Sequence, residues 1–218
     1  MENIGQAVEL KTTASEISTS QVRTASLTWY LVVIGYSTVA VGLVAFLTIN
    51  GASGIPSAAT IGTAVLLVIG FLLPVAGMLG LRSLEPSKRA ARYGFAMQAF
   101  GLLGLLIGVV LVVAISSLTG YLLSAVFVAT AGVLAIVGAV LLRGHYSTTA
   151  PNSRGVTYLI FGTALVFSGA GLIVGSNIAF EYLISQVQNT VYVDLGATVS
   201  ACGCVLAAYS FFVLHSRS

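Results

Sequence analysis

Six long apolar stretches constrain this chain more than any other feature. They fall near residues 28–49, 57–81, 94–116, 120–142, 156–176 and 192–214, and each supplies the roughly 20 residues that a helix needs to cross a ~30 Å hydrocarbon core. Backbone amides in lipid must satisfy one another, so only helices and closed barrels can span. Runs such as LLGLLIGVVLVVAI and AIVGAVLL lack the alternation of barrel strands. The expected fold class is therefore an all-α integral membrane protein with six transmembrane helices. Composition agrees, with 57% hydrophobic and 7% charged residues against roughly 25% charged in a soluble domain.

The first 26 residues, MENIGQAVELKTTASEISTSQVRTAS, read as a polar cytosolic tail, partly disordered, ahead of a membrane domain over 27–218. No basic segment precedes a short apolar core there, so it is not expected to be a secretory signal. With no Met-Gly start and no C-terminal CaaX box, the spans themselves are expected to be the anchor.

Charge predicts orientation. Lys11 and Arg23 lie in the tail; Arg82, Lys88, Arg89 and Arg92 follow the second span; Arg143 and Arg154 follow the fourth; Arg217 ends the chain. The opposite connections, NGASGIPS, SLT and NIAFEYLISQVQNTVY, hold no lysine or arginine. Because basic residues are retained on the cytoplasmic side during insertion, the sequence predicts a plasma-membrane protein with both termini cytoplasmic. The net charge of +3 follows from this asymmetry. The basic residues stand singly at helix ends without aromatic interleaving, so no nucleic-acid partner is expected.

Short outer turns tie the spans into three hairpins, 27–83, 92–144 and 155–215, and these look like copies of one unit. The odd spans carry glycines seven apart: Gly35 and Gly42, Gly101 and Gly108, Gly162 and Gly169. Among the even spans, Gly70 and Gly77 pair with Gly196 and Gly203, and Gly132 with Ala139 fills the same place in the fourth. The segments RTASLTWYLVVIGYSTVAVG (23–42) and RAARYGFAMQAFGLLGLLIG (89–108) further match an arginine, an alanine and the aromatic pair Trp29/Phe95. Lipid gives helices no hydrophobic reason to associate, so close approach at small residues on one face must hold them together. Gly104 with Gly108 and Gly171 with Gly175 add a four-residue spacing, for which contacts within the bundle are expected.

With its aromatic start at Trp29 and Tyr30, Gly35 and Gly42 in the odd span, a short outer turn, mid-span Gly70 and Arg82 at the inner end, the chain resembles the HdeD-type family of bacterial and archaeal membrane proteins. It departs from that family at FLTIN (46–50), where a Trp-Pro pair is common. The resemblance covers 27–218. It implies six helices in three hairpins, a link to acid or envelope stress, and no known catalytic residues.

Intramembrane ionisable groups are the usual place to seek transport chemistry, and this chain has almost none. Asp194 is expected in the first turn of the last helix, where a carboxylate complements free backbone donors. Glu181 sits in an outer segment whose apolar face, Ile178, Tyr182, Leu183 and Val187, suits the interface. Gln98 is expected to bridge helices through hydrogen bonds. Pro74 should free the Gly70 carbonyl and kink its helix. His145 and His215 follow inner helix ends, which does not suit haem. Cys202 and Cys204, two apart, point to opposite helix faces and cannot share a metal or a disulfide. Ser53 of GASG lacks the intramembrane histidine that a rhomboid-type protease requires. Neither metal nor cofactor is expected.

A non-enzymatic, stress-associated or accessory membrane protein is the expected function. One rival is a small transporter or channel for a neutral or lipid-like solute, lined by Ser37, Thr38, Ser124, Thr130 and Ser168. A polar cavity at the midplane near Pro74 and Asp194 would favour it; a dry, glycine-packed centre would not. Another is a small subunit of a larger complex, or a homo-oligomer, which would show a small-residue surface facing lipid.

Overall fold

The computed structural model describes the backbone of residues 2–50, 57–84, 88–115, 117–149, 154–180 and 186–215, with side chains placed for all of these except 2–23, 50, 57–58, 113–114, 147–149, 154 and 186–187. Six helices account for them: α1 (Glu2–Asn50), α2 (Ser57–Leu84), α3 (Arg89–Ala114), α4 (Leu118–Thr149), α5 (Arg154–Phe180) and α6 (Gln186–His215). All six contain a segment long and apolar enough to cross a bilayer. Among the described residues there is no strand. The helix assignment reaches back to Glu2, so the polar segment expected to be partly disordered continues α1. Its composition allows this: apart from Gly5 it contains no helix breaker, and Glu, Gln and Ala recur.

The helices form a ring in chain order. Each hairpin pair, α1 with α2, α3 with α4 and α5 with α6, packs most extensively; α2 with α3 and α4 with α5 join the pairs, α1 with α6 closes the ring, and α3 also approaches α5 directly. Large apolar side chains stand exposed on every helix, among them Val41, Leu72, Val110, Val133, Phe161 and Phe212. A water-soluble monomer does not carry apolar surface on this scale. Lipid is the solvent that such a surface requires, and the protein is a polytopic membrane protein.

Backbone approach at glycine determines how each hairpin closes. A methyl group on Gly35 would run into Pro74 and stand 3.0 Å from the Gly70 carbonyl oxygen; on Gly101 it would stand 2.9 Å from the Ala131 oxygen, and on Gly162 2.8 Å from the Gly203 oxygen. One rung nearer the basic end, a methyl on Gly77 would meet the Thr28 oxygen at 2.7 Å and one on Gly138 the Gly94 oxygen at 2.7 Å. At the corresponding level of the third hairpin, Ser210 Oγ donates to the Gly155 carbonyl at 2.5 Å. The odd-helix glycines therefore act as the sequence predicts.

The even helices are registered differently. Gly70, Ala131 and Gly203 occupy matching places, which displaces the Gly70, Gly132, Gly196 pairing by one residue in α4 and by seven in α6. Gly132 turns to α5, where an added methyl group would stand 3.3 Å from the Phe167 ring. Two helical turns return a residue to nearly the same face, so a stripe with small residues on every second turn looks alike after a two-turn slip.

The two closely spaced glycine pairs part company. Gly104 and Gly108 pack against Ala131 and Val128 inside the bundle, whereas Gly171 and Gly175 are exposed with open space beyond them. The expected internal contact fails at the second pair because α5 presents its other face to α6 through Gly162 and Gly169.

Candidate functional site

The interior is filled by side chains that recur at matching places on the odd helices. Successive buried layers hold Trp29, Phe95 and Val156; Val32, Gln98 and Leu159; Tyr36, Leu102 and Thr163; and Val39, Leu105 and Val166. Near the basic end, aromatic rings lock three helices together. Trp29 of α1 meets Phe95 of α3 edge-on at 6.2 Å and Phe211 of α6 at 5.9 Å, and Tyr36 stacks on Phe211 at 6.1 Å. His215, expected at an inner helix end, is in the last turn of α6 and packs against Trp29 and Tyr30 across the ring closure.

Gln98 is the largest fully buried polar side chain among the described residues. It is fully buried, and its Nε2 donates to the Ala135 carbonyl of α4 at 2.7 Å and, weakly, to Thr163 Oγ1 of α5 at 3.4 Å. It thus joins three helices, while its Oε1 accepts nothing in the structure. Two further hydroxyls bind across helix pairs: Ser124 donates to the Gly108 carbonyl at 2.7 Å and Ser200 to the Val166 carbonyl at 3.1 Å. Ser200 and Ser210 were not singled out by sequence reasoning. The available signal was their position, each on the same α6 face as a glycine or alanine of the packing stripe.

Pro74 is buried in α2, which continues as helix through it. The carbonyl that the proline frees, on Gly70, faces Gly35, where a Cα–H can approach it. Its ring fills the space against Gly35 of α1. Asp194 does not occupy a first turn. The outer connection that seemed to precede it is largely helix: α6 begins at Gln186, placing the half-buried Asp194 two turns further on, with its backbone carbonyl accepting the Thr198 hydroxyl at 2.8 Å. Glu181 and Ser53 lie outside the described residues.

The hydroxyls proposed for a transport path do not converge. Ser37 and Thr38 donate to carbonyls of their own helix, Val33 and Ile34; Thr130 and Ser168 are exposed, and Ser124 is spent on its bond to Gly108. Cys202 is exposed and Cys204 buried, on opposite faces as helical geometry requires. Among the described residues no three of His, Cys, Asp and Glu gather where they could hold a metal ion. Compared with known proteins, the chain matches no family model, no curated sequence and no solved structure.

Proposed function

We propose that this protein is a non-enzymatic, structural or accessory component of the plasma membrane, associated with acid or envelope stress as the HdeD-type resemblance implies, built from three copies of one hairpin and oriented with both termini in the cytoplasm. One observation carries the reading: at mid-depth each hairpin closes backbone to backbone at a glycine, in matching places, and buried side chains fill the interior, leaving the candidate path residues scattered or engaged. The orientation rests on the basic residues, which in the sequence flank the even-to-odd connections and the termini and are absent from the opposite connections. Proteoliposomes containing the protein should swell in glycerol or urea no faster than empty vesicles. A protein-dependent rise in permeability would overturn this reading in favour of transport. In the native host, deletion should lower survival under acid or envelope challenge, and restoring the gene should recover it; unchanged survival would remove the stress association.

A second reading, a homo-oligomer or a subunit of a larger complex, is favoured by the small outward stripe of Ser168, Gly171 and Gly175 on α5. Lipid-facing surface normally carries bulky apolar residues, and small ones let another helix approach. Mass spectrometry of what co-purifies from native membranes tests it: a stable partner or second copy lost on Gly171→Ile supports the reading, and a lone monomer rejects it.

A further inference from the structure

At the junction between the first two hairpins, Arg82, Arg89, Arg92 and Tyr93 line a recess of about 120 Å³. We propose that this recess binds the phosphate of an anionic phospholipid headgroup.

The depth is right for such a ligand. The apolar segment of α2 ends at Leu84 and that of α3 starts at Arg89, so the recess lies at the membrane boundary, where headgroups reside, whichever leaflet that is. Tyr93 is 60% exposed there, as interfacial tyrosines are.

The chemistry is equally specific. Arg92 and Tyr93 lie three and four residues after Arg89, which places all three on one side of the first turns of α3. Arg82 reaches the same recess from the last turn of α2. Three guanidinium groups present planar forks of donors that match phosphate oxygens, and a tyrosine hydroxyl adds a neutral donor. Among the described residues the lining holds no carboxylate. Over 82–92 four cations (Arg82, Lys88, Arg89, Arg92) face one carboxylate (Glu85), a net +3.

The start of α3 adds to this: its first turn holds no acidic residue, and the backbone N–H groups and dipole at a helix start favour an anion nearby. The α6 to α1 junction differs: the residue matching Arg82 there is His215, packed against Trp29 and Tyr30. Basic recesses between spanning helices are a general means of holding anionic headgroups. The inference is independent of the proposed function.

Native mass spectrometry of the full chain in detergent, titrated with phosphatidylglycerol or phosphatidylcholine, tests the assignment. Wild-type protein should prefer phosphatidylglycerol, and Arg89→Gln with Arg92→Gln should reduce that affinity at least about tenfold, as expected for loss of charge-assisted bonds. Arg143→Gln, at the same end but outside the recess, should leave it unchanged. Because the double variant removes two charges, Arg89→Lys with Arg92→Lys serves as a folding-neutral companion: it keeps the charge, loses the fork, and should still weaken binding. Equal affinity for the two lipids, or an equal loss in Arg143→Gln, would overturn the proposal. Inorganic phosphate binding the lipid-free protein as tightly as phosphatidylglycerol would also overturn it, making free phosphate the ligand.

Discussion

Adding one methyl group to Gly162 should damage this bundle, while the same change nine residues along the same helix should not. At Gly162 the new Cβ would stand 2.8 Å from both the Ala207 nitrogen and the Gly203 carbonyl oxygen. Both are backbone atoms of a packed helix, so neither can rotate away and α5 must move off α6. Forcing extra volume into a packed interface costs about 1–3 kcal/mol, and separating the helices also weakens the Ser200 and Ser210 bonds to α5. Helix propensity opposes the loss, since alanine is favoured over glycine by about 1 kcal/mol at most in an exposed helix, and less where lipid already enforces helix. At Gly171 nothing lies within 4 Å of the added group, so only the propensity gain remains. Taking roughly 2–4 °C per kcal/mol for a chain of this size, Gly162→Ala should melt several degrees below wild type in detergent, with Gly171→Ala at or slightly above it. Equal melting temperatures for the two variants would refute the reasoning, because they share chemistry, helix and solvent and differ only in what the methyl meets.

Three further outcomes follow from single residues. Gln98→Met removes the bonds to Ala135 and Thr163 but also a buried oxygen without a partner; interhelical bonds in membranes average about 0.6 kcal/mol, so stability in steric-trap or denaturant unfolding should change by less than about 1 kcal/mol, and a loss above about 3 kcal/mol would contradict this. Ser210→Ala deletes the α6 to α5 bond at Gly155 and should cost about 0.5–1.5 kcal/mol by the same measurement. A green fluorescent protein fused after Ser218 should fluoresce while an alkaline phosphatase fused there stays inactive, as a cytoplasmic C-terminus requires; the reverse pattern would invert the topology.

Much of the fold was legible because bilayer thickness imposes a length on apolar runs that no soluble constraint imposes. The odd-helix glycines were legible for a related reason: without a hydrophobic drive between helices, small residues on one face are the principal means of close packing, and Gly35, Gly101 and Gly162 each meet a partner carbonyl. Register between helices was not legible. Gly132 and Gly138 of α4 point to different neighbours, Phe167 on α5 and the Gly94 carbonyl on α3, and a spacing pattern cannot tell which neighbour a small residue serves. Helix ends were misjudged where polar residues continue a helix past the hydrocarbon. Asp194 looked like a first-turn residue because NIAFEYLISQVQNTVY reads as a loop, yet α5 extends to Phe180 and α6 resumes at Gln186. The Arg82, Arg89, Arg92 recess was visible only as charge that predicts orientation; its convergence depends on how α2 meets α3.

The packing also limits where activity can reside. A ring whose facing helices touch backbone to backbone has no slack at mid-depth, since widening the α1 to α2, α3 to α4 or α5 to α6 seam breaks several glycine-to-carbonyl rungs together. The joints between hairpins, α2 with α3 and α4 with α5, pack less extensively and rely on side chains such as Phe167 over Gly132 instead of paired backbones. Any conformational change should therefore move hairpins as rigid units about these joints. The arginine recess spans the first of them, so an anion bound there ties α2 to α3 at the weaker kind of seam. Disulfides engineered across a hairpin seam and across the α2 to α3 joint separate these cases: the first should leave lipid binding at the recess unaffected, and the second should alter it. The opposite pattern would mean that the hairpins are not the moving units.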